Sequence, residues 1–247
     1  MQQFGFTRTS VKREHALLTP DSFIRAPFPG DQNGTRVVHI NPACGAGFTM
    51  FSLEAQKNAS FAPALDGCSS LIFVLEGEFV LRVAKKKHLL KTGFYAFLPL
   101  TADYNLESKL GGKAVVFEKP YNAIANTKIP EIIIADAQSL AKNPVLNDPR
   151  VLVQTLLPDE PSFDFAVNIM NFEPGAHLSL VETHVMEHGL YMLNGGGIYR
   201  LGDNWYPVQG GDVIYMAAYC PQWFGALGST PSSYLIYKDW NRHSLES

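Results

Sequence analysis

Residues 71–83, LIFVLEGEFVLRV, and residues 189–201, GLYMLNGGGIYRL, decide the fold once they are laid over one another. Each reads as an apolar strand, a break containing glycine, and a second strand rich in β-branched and aromatic residues. The breaks fall on Gly77 and Gly195, 118 residues apart, and the glycines that open the next strand, Gly93 and Gly211, keep that same spacing. Behind them FYAFLP and DVIYMA run in one register. An offset preserved across separate elements points to a duplicated β-domain of about 110–120 residues, not to two generic strand–turn–strand patterns.

The remaining strand-like runs lie on either side: RVVHI, KAVVF, FAVNIMNF and SYLIYK, all punctuated by Gly, Pro, Asn and Asp. Helical patterns are scarce; residues 135–142 alone read as about two helical turns. Short, evenly spaced strands of this kind make sandwiches or barrels. The polar, Pro-containing stretch at residues 125–134 marks the boundary, giving domains 1–125 and 126–247.

Composition narrows the function classes. A chain of 247 residues holds one large or two small domains, and 46% hydrophobic content suits a soluble globular protein. The net charge of −3 with 17% charged residues offers neither a basic stripe for nucleic acid nor an acidic tail. The low charged fraction beside 12% aromatics fits sandwich cores or subunit interfaces. The opening MQQFGFTRTSVKREH has no apolar core of a secretory signal, and no apolar run approaches a membrane span. Cys44, Cys68 and Cys220 are odd in number and widely spaced, so reduced thiols in a cytoplasmic protein are expected.

The chemistry concentrates in residues 182–189, ETHVMEHG. Residues two apart on a strand share a face, so Glu182 and His184 would converge, and His188, after a turn, would open the neighbouring strand toward the same interior. A carboxylate and two imidazoles make a cation site. Gln222 follows Gly211 by eleven residues, beyond the second repeat's strand. His15, His39, His88 and His243 fit ordinary core or surface roles, and His177 stands outside the spacing. The string HVMEH also fits the HxxEH zinc-protease pattern, but that pattern needs a helix, and β-branched Thr183 and Val185 with Gly189 and NGGG oppose one. Carboxylate and imidazole donors without thiolate suit Mn(II) or Fe(II) better than structural zinc.

These residues resemble the motifs of the cupin superfamily, G(X)5HXH(X)3-4E(X)6G and G(X)5PXG(X)2H(X)3N. Glu182 stands for the first His, His184 for the second, His188 for the Glu, and six residues separate His188 from Gly195. In the second motif Gly211 is kept, Ala217 replaces Pro, Tyr219 replaces Gly, and Gln222 takes the His position. One extra residue separates Gly175 from Glu182. The resemblance implies an all-β bicupin, two tandem double-stranded β-helix barrels. The 118-residue offset gives Ala64, Asp66, Ser70 and Tyr104 as first-barrel counterparts of the four donors; only Asp66 is a good ligand, so the first barrel is expected to hold no metal.

The chain is also similar to a narrower family, the (S)-ureidoglycine aminohydrolases, through ALLTPD (16–21), FEPGAH (172–177), ETHVMEHG, LNGGGIYRLGDNWYPVQGGD (193–212) and SYLIYKDWNR (233–242). The resemblance spans nearly the whole chain. It implies a Mn2+-dependent hydrolase that converts (S)-ureidoglycine and water to (S)-ureidoglycolate and ammonia in purine (allantoin) breakdown. It implies further that Glu182, His184, His188 and Gln222 bind the metal and that Tyr234 and Lys238 contact substrate, Glu182 and Lys238 being catalytic; Tyr199 is a candidate for the pocket wall. Bicupins of this kind commonly form homo-oligomers. Two other readings remain at the level of residues: a different metal-dependent cupin enzyme, dioxygenase or isomerase, and a non-catalytic ligand-binding bicupin.

Overall fold

The structure is a computed structural model that describes residues 6–63 and 65–242. Ala64 and His243 lie outside the described residues. The chain forms β1 (Ser10–Val11), β2 (His15–Leu18), β3 (Gln32–Ile40), β4 (Thr49–Phe61), β5 (Cys68–Val83), β6 (Lys86–Lys91), β7 (Phe94–Leu98), β8 (Tyr104–Ser108), β9 (Gly112–Pro120) and β10 (Ile133–Asp136). There follow β11 (Asn143–Val145), β12 (Asp148–Thr155), β13 (Phe165–Phe172), β14 (His188–Asn194), β15 (Gly196–Leu201), β16 (Asn204–Gln209), β17 (Val213–Met216), β18 (Gln222–Ala226) and β19 (Ser232–Asp239). Three single-turn 3-10 helices complete the described residues, and the fold is all-β.

Two units result. One comprises Met1–Phe23, Ala141–Pro158 and Phe165–Ser247, the other Ile24–Leu140 and Asp159–Asp164. In the first, the sheet β1-β2-β17-β14-β19-β13-β12-β11 is accompanied by the sheet β16-β15-β18. In the second, β3 to β10 form one continuous ladder. This partition is finer than a single cut between residues 125 and 126, because the leading strand of each repeat is exchanged. Strand β2 pairs with β17, Leu17 opposite Ile214 and His15 opposite Met216. Strand β10 pairs with β7, Ile134 opposite Ala96. Residues 15–18 and 133–136 are again 118 apart, so the exchange obeys the internal repeat.

Each unit is closed around its own apolar interior, as alternating strands require. Phe51, Phe79, Leu81 and Val116 are among the buried residues of the second unit. In the first, Phe172 meets Phe224 edge-on with ring centres 4.8 Å apart, and Tyr199 and Tyr234 pack on the same rings. The repeated glycine has a physical cause: Gly77 and Gly195 both take positive φ (76° and 66°), and a side chain there would strike the backbone of Gly111 or of Pro231.

The helix expected over residues 135–142 does not form. Its first residues end β10, and only Ala137–Ser139 make one 3-10 turn, capped by the Asp136 side chain accepting from the Gln138 amide. Pairing of β10 with β7 outweighs the modest helix preference of Ala, Gln and Leu. The cysteines are free thiols: Cys44 exposed, Cys68 half-buried, Cys220 buried.

Candidate metal centre

Glu182 and His184 belong to no regular strand. They sit on an extended segment that touches the sheet once, where Glu182 and Gln222 bridge through two backbone hydrogen bonds of 2.8 and 2.9 Å. That bridge sets the carboxylate beside the amide that opens β18. The His184 carbonyl accepts from the Tyr219 amide at 2.8 Å, and the Glu187 amide donates to the Asp239 carboxylate at 2.7 Å. The segment is thereby pinned at both flanks of His184. His188 is the first residue of β14 and is buried. No helix carries the HVMEH string, so the zinc-protease geometry is absent here.

The side chains of Glu182, His184, His188 and Gln222 come together. His188 Nε2 and His184 Nδ1 are 3.3 Å apart, and the rings meet edge-on at 4.8 Å. Gln222 Nε2 lies 3.0 Å from His184 Nε2, and a Glu182 oxygen 3.9 Å from that nitrogen. His188 Nδ1 is 3.2 Å from the Tyr237 carbonyl, which can only accept, so that nitrogen carries the proton and Nε2 presents its lone pair. His188 Nε2 and His184 Nδ1 are spaced as adjacent ligands of one ion held at about 2.0–2.2 Å, whereas the Gln222 amide turns its NH2 group toward His184 and would have to present its oxygen instead. His184 offers one nitrogen to His188 and the other to Gln222 and Glu182, so a shared ion would take one of the two. Among the described residues no three His, Cys, Asp or Glu side chains form a cage by themselves. An ion held here would therefore need the Gln222 amide oxygen as well, and carboxylate, amide and imidazole groups suit a Mn(II)- or Fe(II)-type ion.

Burial keeps His188 and the two neighbouring phenols neutral. Desolvation, helped by His184, pushes the His188 imidazole down to about 3, well below the usual histidine value, so it stays an unprotonated donor. Burial raises the Tyr199 and Tyr234 phenols far above their ordinary range, with the Glu182 charge adding to both. Tyr199, on β15, donates to the Gln222 amide oxygen at 3.5 Å. Tyr234 and Lys238 lie on β19, and Lys238 stands directly across the ladder from His188. The Lys238 ammonium is 4.1 Å from the centre of the Trp240 ring.

Sequence reasoning passed over three supports. The Tyr237 carbonyl, which orients His188, is a backbone group whose partner depends on strand register. The Asp239 carboxylate, which holds the donor loop, follows two residues later. Tyr219 has positive φ (63°), the conformation that the motif's glycine would take, and its substitution in the motif was the available signal. His177 stays apart from the donor set, with Nδ1 2.8 Å from the Leu178 carbonyl and its ring against Trp223.

In the other unit, Ser70 is buried on β5, Tyr104 opens β8, and Asp66 is exposed just before β5.

Comparison with known proteins places these features. The cupin-domain family profile matches residues 168–237, which hold all the donors. An (S)-ureidoglycine aminohydrolase of Arabidopsis thaliana is 41% identical over 98% of this chain and 80% of its own length. The Escherichia coli enzyme of the same name is 30% identical over 92% of this chain and 88% of its own. The crystal structure of the protein Ylba from E. coli superposes with a TM-score of 0.85, at 29% identity, over 96% of this chain and 95% of that one. Oxalate decarboxylase of Bacillus subtilis shares the two-barrel fold alone, with a TM-score of 0.72 at 9% identity over 95% of this chain and 79% of that one. Among the described residues no helix is long and apolar enough to cross a membrane.

Proposed function

The chain belongs to the (S)-ureidoglycine aminohydrolase family, and on that premise we propose that it hydrolyses (S)-ureidoglycine to (S)-ureidoglycolate and ammonia at a Mn(II) ion held by Glu182, His184, His188 and Gln222. The observation that supports the reading is the gathering of Glu182, His188 and Gln222, from two distant segments, around His184 at separations of 3.0 to 3.9 Å. The free thiols are consistent with a cytoplasmic enzyme of purine breakdown.

Bound there, the ion would supply Lewis acidity and a template for the substrate's oxygens. The protein's own groups account for the rest. Net reaction breaks the C–N bond of the aminal carbon, forms a C–O bond from water, and needs a proton on the departing amine. Lys238, level with His188 on the adjacent strand, would hold the substrate carboxylate or deliver that proton. Tyr199 and Tyr234, kept as neutral phenols by burial, can only donate their hydroxyl protons to anionic oxygens or accept from N–H groups. Tyr199 also reaches the Gln222 amide oxygen at 3.5 Å.

The test is metal analysis of the purified protein followed by ammonia release from freshly made ureidoglycine, before and after EDTA. Expected are about one Mn(II) per chain and activity lost on chelation and restored by Mn(II). Oxygen consumption, or a metal-free protein with full activity, overturns the reading.

A further inference from the structure

The unit that lacks the metal donors keeps a cavity of about 250 Å³ at the position equivalent to the donor set. Its lining includes Asp66, Ser70 and Tyr104, the very residues that stand 118 positions before His184, His188 and Gln222. Cys68, Thr101 and Asp103 add polar groups, and among the described residues no Lys, Arg or His lines it. One group there is unexplained by the fold: the Ser70 hydroxyl is fully buried and has no hydrogen-bond partner. Leaving a buried hydroxyl unsatisfied costs about 1–3 kcal/mol, so such groups call for a reason.

The strand opposite Ser70 supplies a second difference between the barrels. Lys238 stands across from His188, whereas the residue across from Ser70 is Glu118, on β9. Paired residues share a face of the sheet, so the position that holds a cation in one barrel holds a carboxylate in the other. Glu118 is buried, and desolvation raises its carboxyl above the ordinary range, with Arg36 opposing. Arg36 itself is engaged bidentately by Asp31 at 2.7 and 2.8 Å.

We propose that this cavity is a second, metal-independent binding site, for a small neutral or cationic molecule rich in N–H donors (an alkylammonium or a urea-type amide), which hydrogen-bonds to Ser70 and Asp66. The two acidic side chains on the rim favour donors and repel carboxylates. The ligand class is therefore opposite in charge preference to a site built around Lys238. A volume of about 250 Å³ is below that of usual drug-sized sites and suits a molecule of a few heavy atoms.

The experiment is titration of the full-length 15N-labelled protein with methylammonium, N-methylurea and acetate, following backbone amides by NMR. Expected are saturable shifts at Ser70, Thr101 and Tyr104 with methylammonium or N-methylurea at millimolar concentration, and none with acetate. Ser70→Ala and Asp66→Asn should each weaken binding at least tenfold. Neither residue belongs to the proposed catalytic set, so ammonia release without added ligand should be unchanged. Ser70→Ala removes an unsatisfied group and should not lower the melting temperature, which separates lost binding from lost folding. Absence of shifts up to about 50 mM probe, equal response to acetate, or undiminished binding in both variants overturns the proposal.

Discussion

Lys238 sits between two environments, the proposed donor set across the ladder and the Trp240 ring beside its ammonium. If it serves the reaction, Lys238→Met should lower kcat by about 10²- to 10⁴-fold, the span of a lost general acid, while metal content stays at the parental level. A Met variant within threefold of the parent would place the lysine outside the chemistry. His39, in the other unit, tests electrostatics away from the site. Burial, aided by Arg25, lowers its imidazole to about 3, and its Nε2 lies 2.8 Å from Ser52 Oγ. The unfolded chain takes up a proton near pH 6.5 that the folded chain refuses until about pH 3. Stability is therefore full above pH 6.5 and falls as pH drops toward 3, by up to about 1.4 kcal/mol per unit of difference in pKa. His39→Gln should flatten that slope in urea titrations at pH 4 and pH 7; an unchanged slope would assign it to other groups. At this scale the sequence was legible where donors are close together: Glu182, His184 and His188 fall within seven residues. Gln222 came only from the resemblance to the second cupin motif, counted from Gly211. The Tyr237 carbonyl that aims His188 was not legible, because a backbone acceptor has no side-chain signature.

Strands with a strong apolar pattern were read correctly, FAVNIMNF over the full span of β13 among them. Strand β4, TMFSLEAQKNASF, was missed because its exposed half carries Gln56, Lys57 and Asn58. Lys-rich β6 and short β18, interrupted by Gly225, escaped for similar reasons. Each is held by its neighbours in the ladder, and ladder pairing is invisible to a local reading. The exchanged strand β2 shows the same limit. The segment before it is fastened by Arg8, which grips the buried Asp212 carboxylate with bonds of 2.6 and 2.8 Å and donates to the Pro207 carbonyl. His15 adds a 3.0 Å contact to the Tyr206 hydroxyl. Arg8→Ala leaves the buried Asp212 carboxylate, among the described residues, with the Gln209 amide as its remaining donor and should cost about 1–3 kcal/mol, read as a shift of the urea midpoint at unchanged slope. An unshifted midpoint would mean that the arm contributes nothing to the stability of its unit.

For the whole molecule the duplicated fold was legible and its partition was not, since a repeat states which residues correspond but not which copy of a strand joins which sheet. A cut at 125/126 would take β2 from β17 and leave β10 without β7. Separately expressed 1–125 and 126–247 should each be aggregation-prone through the bared strand edge, and mixing them should recover soluble material; a soluble, monomeric 126–247 that binds metal would contradict this. The exchange also carries a kinetic burden. Leu17, wholly buried in the finished protein, pairs with Ile214, which is made almost two hundred positions later. Throughout translation that apolar tetrapeptide must wait undocked, and closing so long a loop is slow. Refolding from denaturant is thus expected to be limited by the arrival of β2, and a nascent chain stalled before residue 213 would offer chaperones the very segment that later seals the enzyme's own sheet.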